Sequence, residues 1–280
     1  MYVPAPQHAH MLARVAHCGK IGVPNPIERV RLPALSEKAV IARENLRRRL
    51  AEPDADPFES QAHLTAEAFA REPKEVIAEL RQQLRLEEKL GCSTDEDRFA
   101  CDGVYEDAFC VARSHSITRA FGLTMTVSLL HHTACPYLHQ DNVEQRAICT
   151  IFGRGTEWLR EPVSAAVQSL VSVVHDAQAV EDWKTANAAK QEIGSRSGFS
   201  SAEEREVVLI RGSKWPGVER HAPLHRSPAI AEGSGDWRLV VKVDAGATLL
   251  RRPVTPPPIE EHGHGGASCK DERCCPPHKH

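Results

Sequence analysis

Three side chains carry the most chemistry per residue in this chain: His139, Asp141 and His225. The run Cys135-Pro136-Tyr137-Leu138-His139-Gln140-Asp141 follows a stretch of strict apolar and hydroxyl alternation. In an extended segment residues i and i+2 point to the same face, so the His139 imidazole and the Asp141 carboxylate can chelate one ion. The third ligand is expected from His225, in Leu224-His225-Arg226-Ser227-Pro228. Two histidines and one carboxylate on one side of an ion leave the opposite positions open, the arrangement in which Fe(II) binds O2 and a co-substrate. The same ligands suit Zn(II) held for storage, sensing or delivery.

An anionic co-substrate needs a basic anchor. Arg238 stands on the last expected strand, with Arg226 and Arg146 as competing anchors and Tyr137 offering a hydroxyl or mere packing. Trp237, Leu239, Val241 and Val243 share one face of that strand, and Arg238, Val240, Lys242 and Asp244 the other. The polar face is either solvated or, if both sides of the sheet are covered, the site itself. Gly153-Arg154-Gly155-Thr156-Glu157-Trp158 reads as a tight turn, with a wall of the site mouth near Thr156 or Glu157 as the competing reading. His131, His132 and Cys135 could form a second, zinc-like cluster, although their spacing matches no closed four-ligand site. Trp215 reads as an aromatic anchor in a loop.

These segments resemble two families. The His-x-Asp pair, the distant His and an Arg beyond it resemble the Fe(II)/2-oxoglutarate dioxygenase superfamily. That resemblance implies a jelly-roll core, Fe(II) and 2-oxoglutarate as cofactors, and Arg238 as the partner of the 5-carboxylate. A closer resemblance, over about 120–245, is to an uncharacterised bacterial family, domain of unknown function 1826. Its members carry matching His-x-Asp, Gly-x-Gly-Thr-Glu-Trp and His-Arg-Ser-Pro segments and often occur beside zinc-homeostasis genes. The first resemblance implies an oxygenase acting on an unidentified small-molecule or protein substrate. The second leans towards a non-catalytic protein of zinc homeostasis.

The elements that must position the site are less explicit. Residues 1–34 contain prolines at 4, 6, 24, 26 and 33 and read as an extended lead-in. Residues 35–118 read as helical: Ser36 caps a run to Leu50, and a second run covers about 60–90, divided at Pro73. Residues 119–250 read as the jelly-roll, metal-binding domain. Its expected strands are at 123–129, 146–152, 206–210 and 237–244, and a helical insertion at about 164–203 is long enough to be functional or mobile. The expected class is α+β, a cupin-like double-stranded β-helix with the N-terminal helices packed on it.

Residues 251–280 read as a proline-rich linker and a tail that is disordered without a ligand. His262, His264, Cys269, Cys274, Cys275, His278 and His280 give it the density of a zinc, copper or nickel buffer.

Bulk properties narrow the partners. The 280 residues carry 35 basic and 38 acidic side chains, a formal net charge of -3, which provides no electrostatic footprint for nucleic acid or an anionic membrane. The sequence shows neither a signal peptide nor a bilayer-spanning stretch, so a cytoplasmic protein is expected. Nine cysteines then read as thiols or ligands instead of a disulfide framework.

Overall fold

The computed structural model describes residues 27–52, 55–115, 122–135, 137–160, 164–215, 222–231 and 233–245. Helix α1 (Glu37–Leu50) begins where Ser36 Oγ accepts the Ala39 amide, and Arg47, Arg48 and Arg49 in its last turn complement the helix dipole. Helix α2 (Pro73–Leu84) has Pro73 at its first position, where a missing N–H costs nothing. A short α3 (Leu86–Lys89) leads to α4 (Asp95–Ser114), opened by a capping box between Thr94 and Asp97.

The strands are β1 (Ile27–Arg31), β2 (Phe58–Leu64), β3 (Leu123–Leu130), β4 (Gln145–Phe152), β5 (Glu157–Leu159), β6 (Phe199–Ser201), β7 (Glu206–Arg211), β8 (His225–Arg226) and β9 (Arg238–Ala245). They form a six-stranded sheet in the order β1-β7-β4-β9-β3-β2 and a three-stranded sheet in the order β6-β5-β8. Every pairing is antiparallel. From β3 onward the chain passes repeatedly between the sheets: β3, β4, β7 and β9 lie in the large one, and β5, β6 and β8 in the small one. His139 joins the small sheet through a backbone bridge to His225.

Period-two alternation divides the large sheet into two buried faces. Met125, Val127, Cys149, Val207, Val241 and Val243 pack with Leu46, Leu80, Leu84, Val104 and Tyr105 of α1, α2 and α4. On the other face Ile148, Val208, Ile210 and Val240 meet Trp158 of the small sheet. The outer face of the small sheet, Leu138, Leu159 and Leu224, is covered by α5 (Ala165–Ala179) and α6 (Trp183–Arg196) through Val167, Val174, Ala189 and Ile193. The result is four layers, helices on both outsides and the two sheets within.

Two expectations are corrected. Residues 58–64 are not the start of a helix but strand β2, because Ala62 and Leu64 are buried between the exposed Glu59, Gln61 and His63, and the segment pairs along β3. The end of the lead-in, 27–31, is strand β1 paired with β7. Pro73 does divide the helical run, between a 3-10 helix at Ala66–Ala70 and α2. The insertion at 164–203 is mainly a helix pair that seals the small sheet. Residues 251–280, and with them every tail ligand, lie outside the described residues.

Candidate metal centre

His139 and His225 face each other across a two-way bridge, each amide donating to the other's carbonyl at 2.9 Å. Their ring centroids lie 4.3 Å apart. His139 Nδ1 bonds the Tyr137 carbonyl at 2.9 Å, and His225 Nδ1 approaches the Pro223 carbonyl at 3.3 Å. A carbonyl only accepts, so both Nδ1 atoms carry the proton and both Nε2 lone pairs are left for an ion.

Those lone pairs meet at Asp141. His225 Nε2 is 3.2 Å from Asp141 Oδ2, and His139 Nε2 is 3.8 Å from Oδ1. All three ligand atoms lie within 4.8 Å of one another, the one such group of three or more His, Cys, Asp or Glu residues among the described residues. Atoms bound at about 2.1 Å to one ion stand about 3 Å apart when adjacent, so the spacing fits. His225 Nε2 and Asp141 Oδ2 are buried without a hydrogen-bond partner, which a coordinated ion would relieve.

Burial works against the Asp141 carboxylate, but Arg146 beside it, with His225 and His139, holds its pKa well below the usual range. Burial and the neighbouring His225 push His139 down to about 4, against the pull of Asp141. Asp141 and His139 are therefore already in their metal-ready protonation states at neutral pH.

The loop carrying Asp141 is pinned to the end of β7. Ser213, Gly212 and Lys214 amides donate to the carbonyls of Asp141, Glu144 and Val143 at 2.8, 3.0 and 3.1 Å. A Cβ on Gly212 would lie 2.2 Å from the Val143 carbonyl oxygen and 2.7 Å from that of Asp141, so only glycine permits this approach.

Arg238 points inward and is 3% exposed. Its Nη2 donates to Thr150 Oγ1 at 3.2 Å, whereas Nε and Nη1 are buried without a partner. Burial lowers its pKa to about 10, opposed by Glu157. The polar face of β9 is thus the interior face, and Arg238 is not solvated.

The other candidates are already engaged. Arg146 binds Asp141 and, through Nε and Nη2, Asp244 at 2.5 and 2.8 Å. Arg226 donates to Glu157 at 2.8 Å and lies over the Phe199 ring at 3.9 Å. Tyr137 is exposed and contributes its carbonyl to His139. Thr156 and Glu157 are buried where the chain enters β5. Cys135 Sγ approaches His139 Nδ1 at 3.4 Å, and it forms no ligand cluster with His131 and His132 among the described residues. Arg211 lies over the Trp215 ring at 5.1 Å. Sequence reasoning missed the partnership of Asp244 with Arg146, although alternation along β9 already put Asp244 on the face of Arg238.

The sequence pattern of DUF1826, described as a protein of unknown function, matches residues 44–244. The chain belongs to this family. The DUF1826 match includes His139, Asp141, His225 and Arg238. No curated protein matches the sequence. Among solved structures, a dioxygenase for auxin oxidation from rice is similar at 13% identity and a TM-score of 0.38, over 78% of this chain and 72% of that one. The Fe(II)/α-ketoglutarate-dependent dioxygenase TqaL is similar at 12% identity and a TM-score of 0.41, over 92% and 94%. The Arabidopsis thaliana enzyme of auxin oxidation, in complex with 2-oxoglutarate, gives 10% identity and a TM-score of 0.35, over 78% and 82%. Likenesses at such TM-scores assign neither fold nor activity to the DUF1826 chain.

Proposed function

We propose that this protein is a non-haem Fe(II)- and 2-oxoglutarate-dependent oxygenase. The repeated passage of β3 to β9 between two facing sheets is read as a double-stranded β-helix with the triad at one end of its interior. The observation that carries the reading is Arg238, a buried guanidinium with two unpartnered nitrogens on the interior face that also bears Asp244. A buried cation is costly unless an anion completes it. A storage site for zinc has no use for a buried guanidinium that awaits an anion.

His139, Asp141 and His225 hold the metal through Nε2, a carboxylate oxygen and Nε2. Arg238 receives the distal carboxylate of the co-substrate in a two-point fork, with Thr150 steadying the guanidinium. Trp158, Ile148 and Val240 keep water from the space between the sheets. When bound, Fe(II) and 2-oxoglutarate supply the oxidising chemistry with O2, and the chain supplies geometry, charge and dryness.

Anaerobic addition of Fe(II) and 2-oxoglutarate to the full-length protein is expected to give a metal-to-ligand charge-transfer absorbance, absent in Asp141→Ala and His225→Ala. Iron binding without that band, or tight binding of zinc alone, would make metal handling the better reading. Deletion of residues 259–280 is expected to lower total metal capacity and leave the band intact.

A further inference from the structure

The guanidinium of Arg146 is divided between two carboxylates. Nε and Nη2 take Asp244 from the neighbouring strand β9, and Nη1 takes Oδ1 of Asp141. The main chain of Asp141 is held separately by the Ser213 amide at 2.8 Å. One carboxylate oxygen is therefore occupied, and the other, Oδ2, is buried, unpartnered and 3.2 Å from His225 Nε2.

A carboxylate can bind an ion through one oxygen or through both. With two imidazoles and both oxygens, four of six octahedral positions are filled; a chelating 2-oxo acid takes the remaining two, and O2 has nowhere to bind. With one oxygen, three positions stay open, two for the chelate and one for O2. We propose that Arg146, held by Asp244, is a positioning residue that restricts Asp141 to one-oxygen coordination and so keeps a coordination position free. Asp244 also offsets the charge of Arg146, leaving Asp141 attractive to a cation. The inference rests on the oxygenase reading.

Co(II) is the probe, because its visible spectrum reports coordination number. Full-length wild type, Arg146→Met, Arg146→Lys and Asp244→Asn are loaded with Co(II), with the spectrum of Co(II)-treated Asp141→Ala subtracted to remove tail binding, and then titrated with 2-oxoglutarate. Arg146→Met is expected to keep Co(II) but show an altered spectrum, and to need at least about tenfold more 2-oxoglutarate than wild type. Asp244→Asn, which leaves Arg146 in place, is expected to shift the same titration in the same direction by about threefold or more. Arg146→Lys, retaining charge and one donor, is expected to recover part of the loss. Co(II) and 2-oxoglutarate binding falling together in step with thermal stability would mean that Arg146 serves only the fold. Unchanged spectra and titrations in Arg146→Met and Asp244→Asn would equally overturn the proposal. A wild-type protein whose Co(II) spectrum ignores 2-oxoglutarate removes the oxygenase reading itself, and this inference with it.

Discussion

Arg238 shows how a single side chain can be a liability to the fold and an asset to the site. Its guanidinium is buried with two nitrogens unpaired, a desolvation cost that Glu157 opposes in part and that, on the proposed function, a ligand carboxylate would offset further. Arg238→Met is therefore expected to leave the melting temperature of the metal-free protein unchanged or raised. The same substitution should weaken 2-oxoglutarate binding by roughly a hundredfold, about 3 kcal/mol, with Fe(II) affinity retained. Calorimetry and the charge-transfer titration check the two halves separately. His139 makes a prediction about acid. Its unfolded value is near 6.5 and its folded value about 4, so the unfolded chain binds more protons between them. Stability of the metal-free protein is complete above pH 6.5 and falls as the pH drops towards 4, by about 3 kcal/mol at most from this residue. Buried His115, also lowered by burial, acts in the same direction. Melting curves of the metal-free protein that do not move over this range would contradict the account.

The strands explain what the sequence disclosed and what it withheld. β3, β4, β7 and β9 are six to eight residues long, enough for alternation to be visible, and their faces were assignable from residue types alone. Arg238 was assignable to the polar face of β9 for that reason, whereas His139 and Asp141, between β3 and β4, were read from their i, i+2 spacing. β5, β6 and β8 have two or three residues, too few to have a period. β2 reads as helix locally, and only pairing with β3 makes it a strand. The fate of Arg146 was illegible because it depends on the register of β4 against β9, which sets it opposite Asp244. The glycines of 153–155 permit more than a turn: Gly153 has φ +90°, and a Cβ on Gly155 would lie 2.2 Å from the Ala202 carbonyl oxygen. Gly212→Ala is expected to displace the Asp141 loop, lowering stability by about 1–3 kcal/mol and metal affinity with it. Gly194→Ala, in the last turn of α6 with nothing near the added methyl, should stabilise by about 0.5 kcal/mol and leave metal binding unchanged. Paired denaturation and metal titrations of the two variants test this contrast.

At the scale of the molecule, the outer helices are fastened to the large sheet by charge as well as by apolar packing. Asp107 on α4 receives Arg43 from α1 at 2.6 Å and both nitrogens of an Arg205 fork at 3.0 Å, with Arg43 and Asp107 each 4% exposed. Asp107→Ala strands two arginines in the interior and is expected to cost about 3–5 kcal/mol, measurable by urea denaturation. No helix among the described residues is long and apolar enough to cross a membrane. The bridge between His139 and His225 has a consequence in time. The two residues are bridged although β4 to β7 and both helices of the insertion lie between them in the sequence. Contacts so distant along the chain carry a loop-closure cost that slows their formation. An unfolded chain therefore does not bring this triad together, and an ion held by all three residues would have to bind the folded protein.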